Sequence, residues 1–211
     1  IKDSIKLLNK AKKKAVNEIG KRDYALAVLF LTTGIRSIEA ERANIDDIDN
    51  VQGEAVLHIQ GKGRDSKAEF VKLSEETYSA IQEYLVTIDT NSIADDDRGT
   101  PLFLTKPKNG IRKRLSTKMI RTQIKDLLIS IGYNSRAYSV HSLRHTFATT
   151  ALLKGASILQ TQEALRHKNI STTQIYSHMV EGLGSNTNQL VSDALFKSKK
   201  GQENKWLNVQ S

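Results

Sequence analysis

Residues 141–150 read HSLRHTFATT and place one arginine and two histidines next to apolar residues within a single helical segment. At 100° per residue, Leu143, Phe147 and the alanines that follow form the apolar face of a helix. Arg144 falls within that face. A guanidinium keeps its proton and is costly to bury unless an anion meets it. The stretch therefore predicts a packed helix whose arginine meets either a buried carboxylate or an anion from outside the protein.

The two histidines at the edge of this face raise a second possibility, a metal site. His141 and His145 are four residues apart, a spacing that two metal ligands on one helix can use. The zinc-protease pattern requires a glutamate directly after the first histidine, and Ser142 occupies that position. No third ligand is evident nearby in the sequence. We therefore expect no metal site and no cofactor.

The charge balance indicates a polyanionic partner. The 211 residues include 32 Lys and Arg against 23 Asp and Glu, a formal net charge of +9. Clustered cationic side chains bind nucleic acid by displacing counterions from its phosphates. Many basic proteins bind no nucleic acid, so charge alone leaves the question open. The sequence has no cysteine, which excludes disulfides, thiolate metal sites and a cysteine nucleophile.

Apolar runs in this sequence are short. The longest, YALAVLFL at residues 24–31, is well below the about 20 residues that a helix needs to cross a bilayer. No signal-peptide pattern is visible. The first residue is Ile1, and we expect the chain to be a fragment of a longer protein.

Helical periodicity dominates the chain. A basic surface helix is expected at residues 4–19, and an apolar helix is expected from Asp23 through Leu31, ended by Gly34. The next helix should begin near Ser37. A further helix should follow a Ser74 cap, with an apolar stripe of Tyr78, Ile81, Leu85 and Ile88. Later helices are predicted at residues 117–131, 141–154, 157–166 and 171–179.

Two short β-prone runs, residues 55–60 and 68–73, flank the glycine-rich segment GKGRDSK and predict a hairpin. The segment PLFLT at residues 101–105 is expected to add a third strand. The predicted fold class is therefore mainly α (α+β), a helical bundle with a small three-stranded antiparallel sheet.

Three other segments carry candidate chemistry. Arg36 lies between a glycine stop and a helix N-terminus, where backbone N–H groups attract anions, although it could also be a plain surface arginine. Lys62 lies between two glycines of the hairpin turn and could swing onto a substrate or remain solvated. Tyr176, nine residues after His167, could act as a covalent nucleophile if positive charge stabilised its phenolate. Core packing is the alternative for this tyrosine.

Together these segments resemble the catalytic domain of the tyrosine recombinases, the integrase family of site-specific DNA recombinases. The segments TGIRSIE, GKG, HSLRHTFAT and RHKNISTTQIY follow the order of the family's motifs and span residues 33–176. One departure is visible, because the family usually has glycine where this chain has Arg166. That substitution is expected to add a charge close to the DNA.

The resemblance implies a role for each motif residue. Tyr176 would attack the scissile phosphate and form a 3′-phosphotyrosyl link. Arg36 and Arg144 would bind the non-bridging oxygens and stabilise the additional charge of the transition state.

The resemblance also implies which side chains transfer protons. Lys62 would protonate the departing 5′-hydroxyl, His141 would assist proton transfer at the nucleophile, and His167 would donate a hydrogen bond to the phosphate. Glu39 would support Arg36 from the neighbouring helical turn. His145 lies outside the catalytic set and is expected to be structural.

At the level of the whole protein, the resemblance implies an integrase that needs neither metal nor ATP and that integrates or excises a mobile element. Residues 1–181 would form the catalytic domain, and residues 182–211 would form a tail that docks on a neighbouring protomer. The N-terminal DNA-binding domains of full-length members would be missing. The expected assembly is a monomer in solution and a homotetramer on double-stranded DNA, in the bacterial cytoplasm at the nucleoid. Lys118 and Arg121 are expected to contact DNA phosphates.

Two other functions remain open at this point. A type IB topoisomerase-like relaxase would use the same chemistry on one strand. A non-catalytic DNA-binding module would need only the basic stretches KKK, KPKNGIRKR and RHK.

Overall fold

One apolar helix lies at the centre of the fold in the computed structural model, which describes residues 1–61 and 66–166. This helix, α2 (Glu18–Thr33), contacts four others: α1, α4, α5 and α6. The mainly helical fold with a three-stranded antiparallel sheet confirms the predicted fold class. The remaining elements are α1 (Lys2–Lys14), α3 (Ser37–Arg42), β1 (Ile48–Val51), β2 (Glu54–Ile59), β3 (Glu69–Lys72), α4 (Glu75–Leu85), α5 (Thr117–Ile129), α6 (Val140–Leu153) and α7 (Ile158–Leu165).

The start of α2 differs from the sequence prediction. A helix was expected to continue to residue 19 and the next to open at Asp23, but α1 ends at Lys14 and α2 begins at Glu18. The side chain of Asn17 caps α2 by accepting a hydrogen bond from the backbone N–H of Gly20 at 2.9 Å. The predicted end is confirmed, because Gly34 adopts the left-handed conformation with φ of 61°.

The hairpin is confirmed, whereas the expected third strand is wrong. Strands β2 and β3 pair antiparallel, with Leu57 opposite Val71. The third strand is β1, which pairs with the other edge of β2. Residues 101–104 are buried and form only isolated bridges, to Asn44 and to Arg114. They fill the core between different partners and therefore add no strand to the sheet.

Helix α4 begins at the predicted Ser74 cap, but it presents a different face to the core. Ile81 is buried as expected, whereas Tyr78 is 38% exposed. Tyr84, six residues further along the helix, is fully buried, and its hydroxyl accepts a hydrogen bond from the N–H of Leu104 at 3.1 Å. Burial raises the pKa of Tyr84 to about 12. The predicted stripe was displaced by about one residue around the helix.

The later helices agree with the prediction within two residues at their ends, and Ser157 caps α7 as expected. The expected helix at residues 171–179 lies outside the described residues. Among residues 1–61 and 66–166, no helix combines the length and the apolar character that a bilayer crossing requires.

The basic stretch of residues 106–114 is partly internal. Arg112 forms a two-pronged ion pair with Glu18, with Nε to Oε1 at 3.0 Å. Arg114 is buried, and its Nε donates to Asp96 Oδ2 at 2.6 Å while Nη2 donates to the Gly99 carbonyl. Two of the five cations of this stretch therefore stabilise the fold, although the whole stretch was considered as a DNA-binding segment.

The pair between Arg114 and Asp96 leads to a stability prediction. Burial opposes ionisation, but hydrogen bonds from Arg114 and Arg98 outweigh it and hold the pKa of the Asp96 carboxyl well below its usual range. Asp96→Asn should lower the free energy of unfolding at pH 7 by about 2 to 3 kcal/mol, because it leaves a buried guanidinium without its anion. Denaturant unfolding measures this change.

The sign of the pH dependence follows from the lowered pKa. Asp96 contributes stability above its unfolded pKa of about 3.9, and this contribution is lost as the pH falls through the folded pKa. The difference between wild type and Asp96→Asn should therefore shrink at acidic pH. Asp97→Asn, an exposed neighbour, is the matched control and should change stability little. Equal effects of the two substitutions would contradict the assignment.

Candidate active site

The guanidinium of Arg144 joins the ends of two other helices. Arg144 lies on α6, is 6% exposed, and donates from Nη1 to the carbonyl of Gly34 and from Nη2 to the carbonyl of Leu165. Gly34 ends α2, and Leu165 is the last residue of α7. Both of these partners are backbone carbonyls, whereas the sequence suggested a buried carboxylate as the alternative to an anion from outside the protein.

Helix C-termini suit a cation. The last carbonyls of a helix have no partner within the helix and carry the negative end of its dipole. One planar guanidinium can meet two such carbonyls at once, and it has five N–H donors, so it can bind protein and phosphate oxygens together. Arg144 thus fixes its own side chain and the relative position of α2 and α7.

Gly34 allows the close approach that this contact requires. A Cβ atom at Gly34 would lie 2.7 Å from Cδ1 of Phe147 and 2.9 Å from Cδ2 of Leu165, which are distances that real Cβ atoms do not adopt. Its positive φ also favours glycine. Both features keep α6 and α7 packed directly on the end of α2.

Arg36 lies at the start of α3, two residues after Gly34. Its N–H donates to Oε2 of Glu39 at 2.7 Å, and its Nη1 donates to Oε1 of the same carboxylate at 2.9 Å. Its Nη2 also makes a long contact of 3.5 Å with the carbonyl of Arg166. The Glu39 side chain is fully buried, whereas the Arg36 side chain is 31% exposed. Arg36 is thus held by the buried carboxylate of Glu39, and part of its guanidinium side chain remains exposed to solvent.

Arg166 directly follows α7 and occupies a left-handed position, with φ of 55° and ψ of 46°. This conformation favours glycine, the residue that the resemblance leads us to expect at this position. Its side chain is 9% exposed and pairs with Oε2 of Glu39 at 2.8 Å. The expected additional charge near the DNA is therefore largely buried and paired.

The two histidines of α6 are exposed. Partial desolvation, together with the positive charges of His141 and Arg144, lowers the pKa of His145. The neutral imidazole of His145 is therefore favoured at neutral pH. Within residues 1–61 and 66–166, no three His, Asp or Glu side chains cluster in a way that could hold a metal ion.

The sequence model of the phage integrase family matches residues 2–182. The chain belongs to this family, the tyrosine recombinases. It is 35% identical over 184 residues to the tyrosine recombinase XerC of Caldanaerobacter subterraneus subsp. tengcongensis, which covers 85% of this chain and 48% of that protein. The chain thus spans about half the length of the curated relatives it matches.

Solved structures of recombinases share the fold of this tyrosine recombinase. The XerH site-specific recombinase bound to palindromic difH substrate, in a post-cleavage complex, matches with a TM-score of 0.71 and 25% identity, over 89% of this chain and 52% of that one. The Tn1549 transposon integrase in complex with a circular intermediate DNA matches with a TM-score of 0.63 over 80% of this chain and 58% of that one. Its identity of 19% supports likeness of fold alone.

Three of the six predicted catalytic residues lie in the described part of the chain. Arg36 and Arg144 meet at the end of α7, and His141 lies on the exposed side of α6, one turn before Arg144. The other predicted residues, Lys62, His167 and Tyr176, lie outside the described residues.

The contacts that hold the arginines were not predicted. In the sequence, Arg166 is visible only as a departure from the expected pattern, and the binding of Arg144 by the ends of α2 and α7 is not evident. The glycine stop at Gly34 was the available signal, because a helix that ends there presents free carbonyls to whatever packs against it.

Both predicted DNA contacts are exposed on α5. Nε of Arg121 lies 3.3 Å from Oγ of Ser37, which places this side chain beside the start of α3. Ser37 follows Arg36 in the chain, so a phosphate backbone that reaches Arg36 would pass close to Arg121. The DNA-binding roles of Lys118 and Arg121 remain predictions.

The tight packing at Gly34 yields a second prediction. Gly34→Ala should lower the free energy of unfolding by about 2 to 4 kcal/mol, because it combines a left-handed backbone with overpacking against α6 and α7. Chemical denaturation monitors the change. Gly155→Ala is the control, since Gly155 also has a positive φ and its Cβ would meet nothing within 4 Å. Equal losses would show that packing at Gly34 is unimportant.

Proposed function

We propose that this chain is the catalytic part of a site-specific DNA recombinase that cleaves and rejoins strands through a phosphotyrosyl intermediate. The observation that carries the proposal is the convergence of Arg36 and Arg144 on adjacent carbonyls at the end of α7. Two fixed guanidinium groups can bind the two non-bridging oxygens of one phosphate. Such preorganised charge is the main requirement for phosphoryl transfer without a metal ion.

In the proposed reaction, the Tyr176 hydroxyl attacks phosphorus and loses its proton, a step that His141 assists. A bond forms between the tyrosine oxygen and phosphorus, and the bond from phosphorus to the 5′-oxygen breaks. Lys62 protonates the departing 5′-oxygen, and His167 donates a hydrogen bond to the phosphate. A 5′-hydroxyl of a second strand then loses its proton and attacks phosphorus, the bond from phosphorus to the tyrosine oxygen breaks, and that oxygen regains a proton, which restores a phosphodiester and free Tyr176. Bonds of similar energy are exchanged, so no ATP is consumed.

The proposed partner is double-stranded DNA, and the proposed assembly on it is a homotetramer held by the tail of residues 182–211. The charge of +9 and the exposed cations of α5 support DNA binding. The relatives above 30% identity are named XerC, whereas the likeness to a transposon integrase is one of fold. The names therefore favour a Xer-type recombinase over the mobile-element enzyme that we expected from the sequence.

The recombinases among the relatives also favour strand exchange over relaxation by a topoisomerase-like enzyme. A substrate with two sites separates the two reactions, because a recombinase joins DNA from both sites and a relaxase only removes supercoils. A non-catalytic binding module would do neither.

The covalent step gives a third prediction. On a nicked duplex that carries the recombination site, the wild-type chain should form a covalent protein–DNA adduct that survives denaturing electrophoresis. Tyr176→Phe should form none, because phenylalanine has no nucleophilic oxygen. Tyr78→Phe is the control, since Tyr78 is an exposed tyrosine on α4, and it should react like wild type. An adduct with Tyr176→Phe would assign the nucleophile to another residue.

A fourth prediction concerns Arg144. Arg144→Lys keeps the charge, but an ammonium lacks the planar set of donors that lets a guanidinium bind two helix ends and a phosphate at once. We expect the rate of adduct formation to fall by about 10²-fold or more, while the affinity for DNA in a filter or anisotropy assay changes by less than about 3-fold. Equal loss of binding and cleavage would mean that Arg144 serves the fold alone.

A further inference from the structure

We propose that Arg166 is a positioning residue of the active site, acting through its ion pair with Glu39. This inference rests on the proposed function, in which Arg36 and Arg144 bind the scissile phosphate. The pair holds the end of α7 against the start of α3, where both of these arginines find their partners.

The first observation concerns the buried carboxylate. Glu39 is fully buried and has two guanidinium groups on it, with Arg36 on Oε1 and Arg166 on Oε2. A buried carboxylate requires nearby positive charge. With Arg166 present, one negative and two positive groups leave this cluster with a net charge of +1. Without Arg166, the carboxylate would neutralise Arg36 alone and weaken its attraction for a phosphate.

The second observation concerns the backbone of the same segment. The carbonyl of Leu165 accepts from Arg144, and the next carbonyl, that of Arg166, accepts from Arg36. The side chain of Arg166 also donates from Nη1 to the carbonyl of Ala164 at 2.7 Å. Three successive carbonyls at the end of α7 thus each accept from an arginine. A displacement of this end would move both proposed phosphate-binding groups.

The third observation separates this role from ordinary stabilisation. Arg166 has a backbone conformation that favours glycine, and its Nε is buried with no partner among the described residues. Both features are unfavourable for folding. Replacing Arg166 removes a stabilising ion pair, but it also removes the unfavourable backbone conformation or the unpaired Nε. The free energy of unfolding can therefore rise or fall. The rate of DNA cleavage is the informative quantity.

The test measures adduct formation on nicked site DNA at saturating DNA, in parallel with DNA affinity and thermal unfolding. Arg166→Gly relieves the backbone, and Arg166→Gln keeps the polar chain without its charge. Each should slow cleavage by about 10- to 100-fold, the effect of a small misplacement of binding groups, with DNA affinity within about 3-fold of wild type. Arg166→Lys should recover part of the rate because it restores the charge.

Arg98→Gln is the matched control, since Arg98 also pairs with carboxylates, those of Asp96 and Glu41, and its side chain is 54% exposed. It should leave the cleavage rate at saturating DNA unchanged. Cleavage by Arg166→Gly at the wild-type rate would overturn the proposal. A loss that appears only as weaker DNA binding or a lower unfolding temperature would overturn it as well.

A double-mutant cycle tests whether Glu39 is the intermediary. In a Glu39→Gln background, Arg166→Gly should slow cleavage by less than about 3-fold, because its partner charge is already absent. The same large factor in both backgrounds would overturn the proposed route. If Glu39→Gln does not fold, the comparison of Arg166→Gln with Arg166→Lys decides the question.

The two proposals fail in different ways. A wild-type chain that forms no adduct on its site DNA overturns the proposed function, and this inference with it. A wild-type chain that forms the adduct while the Arg166 variants match its rate overturns only the positioning role.

Discussion

The rest of the site depends on the two hydrogen bonds that the Arg144 guanidinium donates to the ends of α2 and α7. The negative ends of two helix dipoles meet one cation that cannot lose its proton. A buried guanidinium is costly alone, but here each helix end supplies an acceptor that its own helix leaves unsatisfied. The contact fixes α7, and the positions of the neighbouring side chains follow from it.

The positions of several neighbouring residues depend on this contact. Gly34 ends α2 with a backbone that leaves no room for a Cβ, so α6 and α7 pack directly on it. Arg36 comes two residues later and is held from inside by Glu39. Arg166 pairs with the other carboxylate oxygen of Glu39. The end of α7 thus connects two arginines that are 108 positions apart in sequence, Arg36 and Arg144.

Local signals in the sequence predicted much of this fold. The serine caps of α4 and α7, the glycine end of α2 and the β2–β3 hairpin depend on neighbouring residues, and all were predicted. The failures depend on distant contacts. The third strand is β1 and not PLFLT, Tyr84 is buried whereas the predicted Tyr78 is exposed, and Arg114 forms an ion pair with Asp96. The partners of Arg144 belong to the same class: Gly34 indicates a helix end with free carbonyls, but the sequence does not indicate which distant arginine binds them.

The most direct test of this account is an experimental structure of the chain trapped on nicked site DNA as the phosphotyrosine adduct. Guanidinium nitrogens of both Arg36 and Arg144 should lie about 2.7 to 3.1 Å from the non-bridging oxygens of the phosphate. Arg144 should also keep its hydrogen bonds to Gly34 and Leu165. A phosphate bound elsewhere, or an Arg144 that contacts only the two carbonyls, would contradict the central claim.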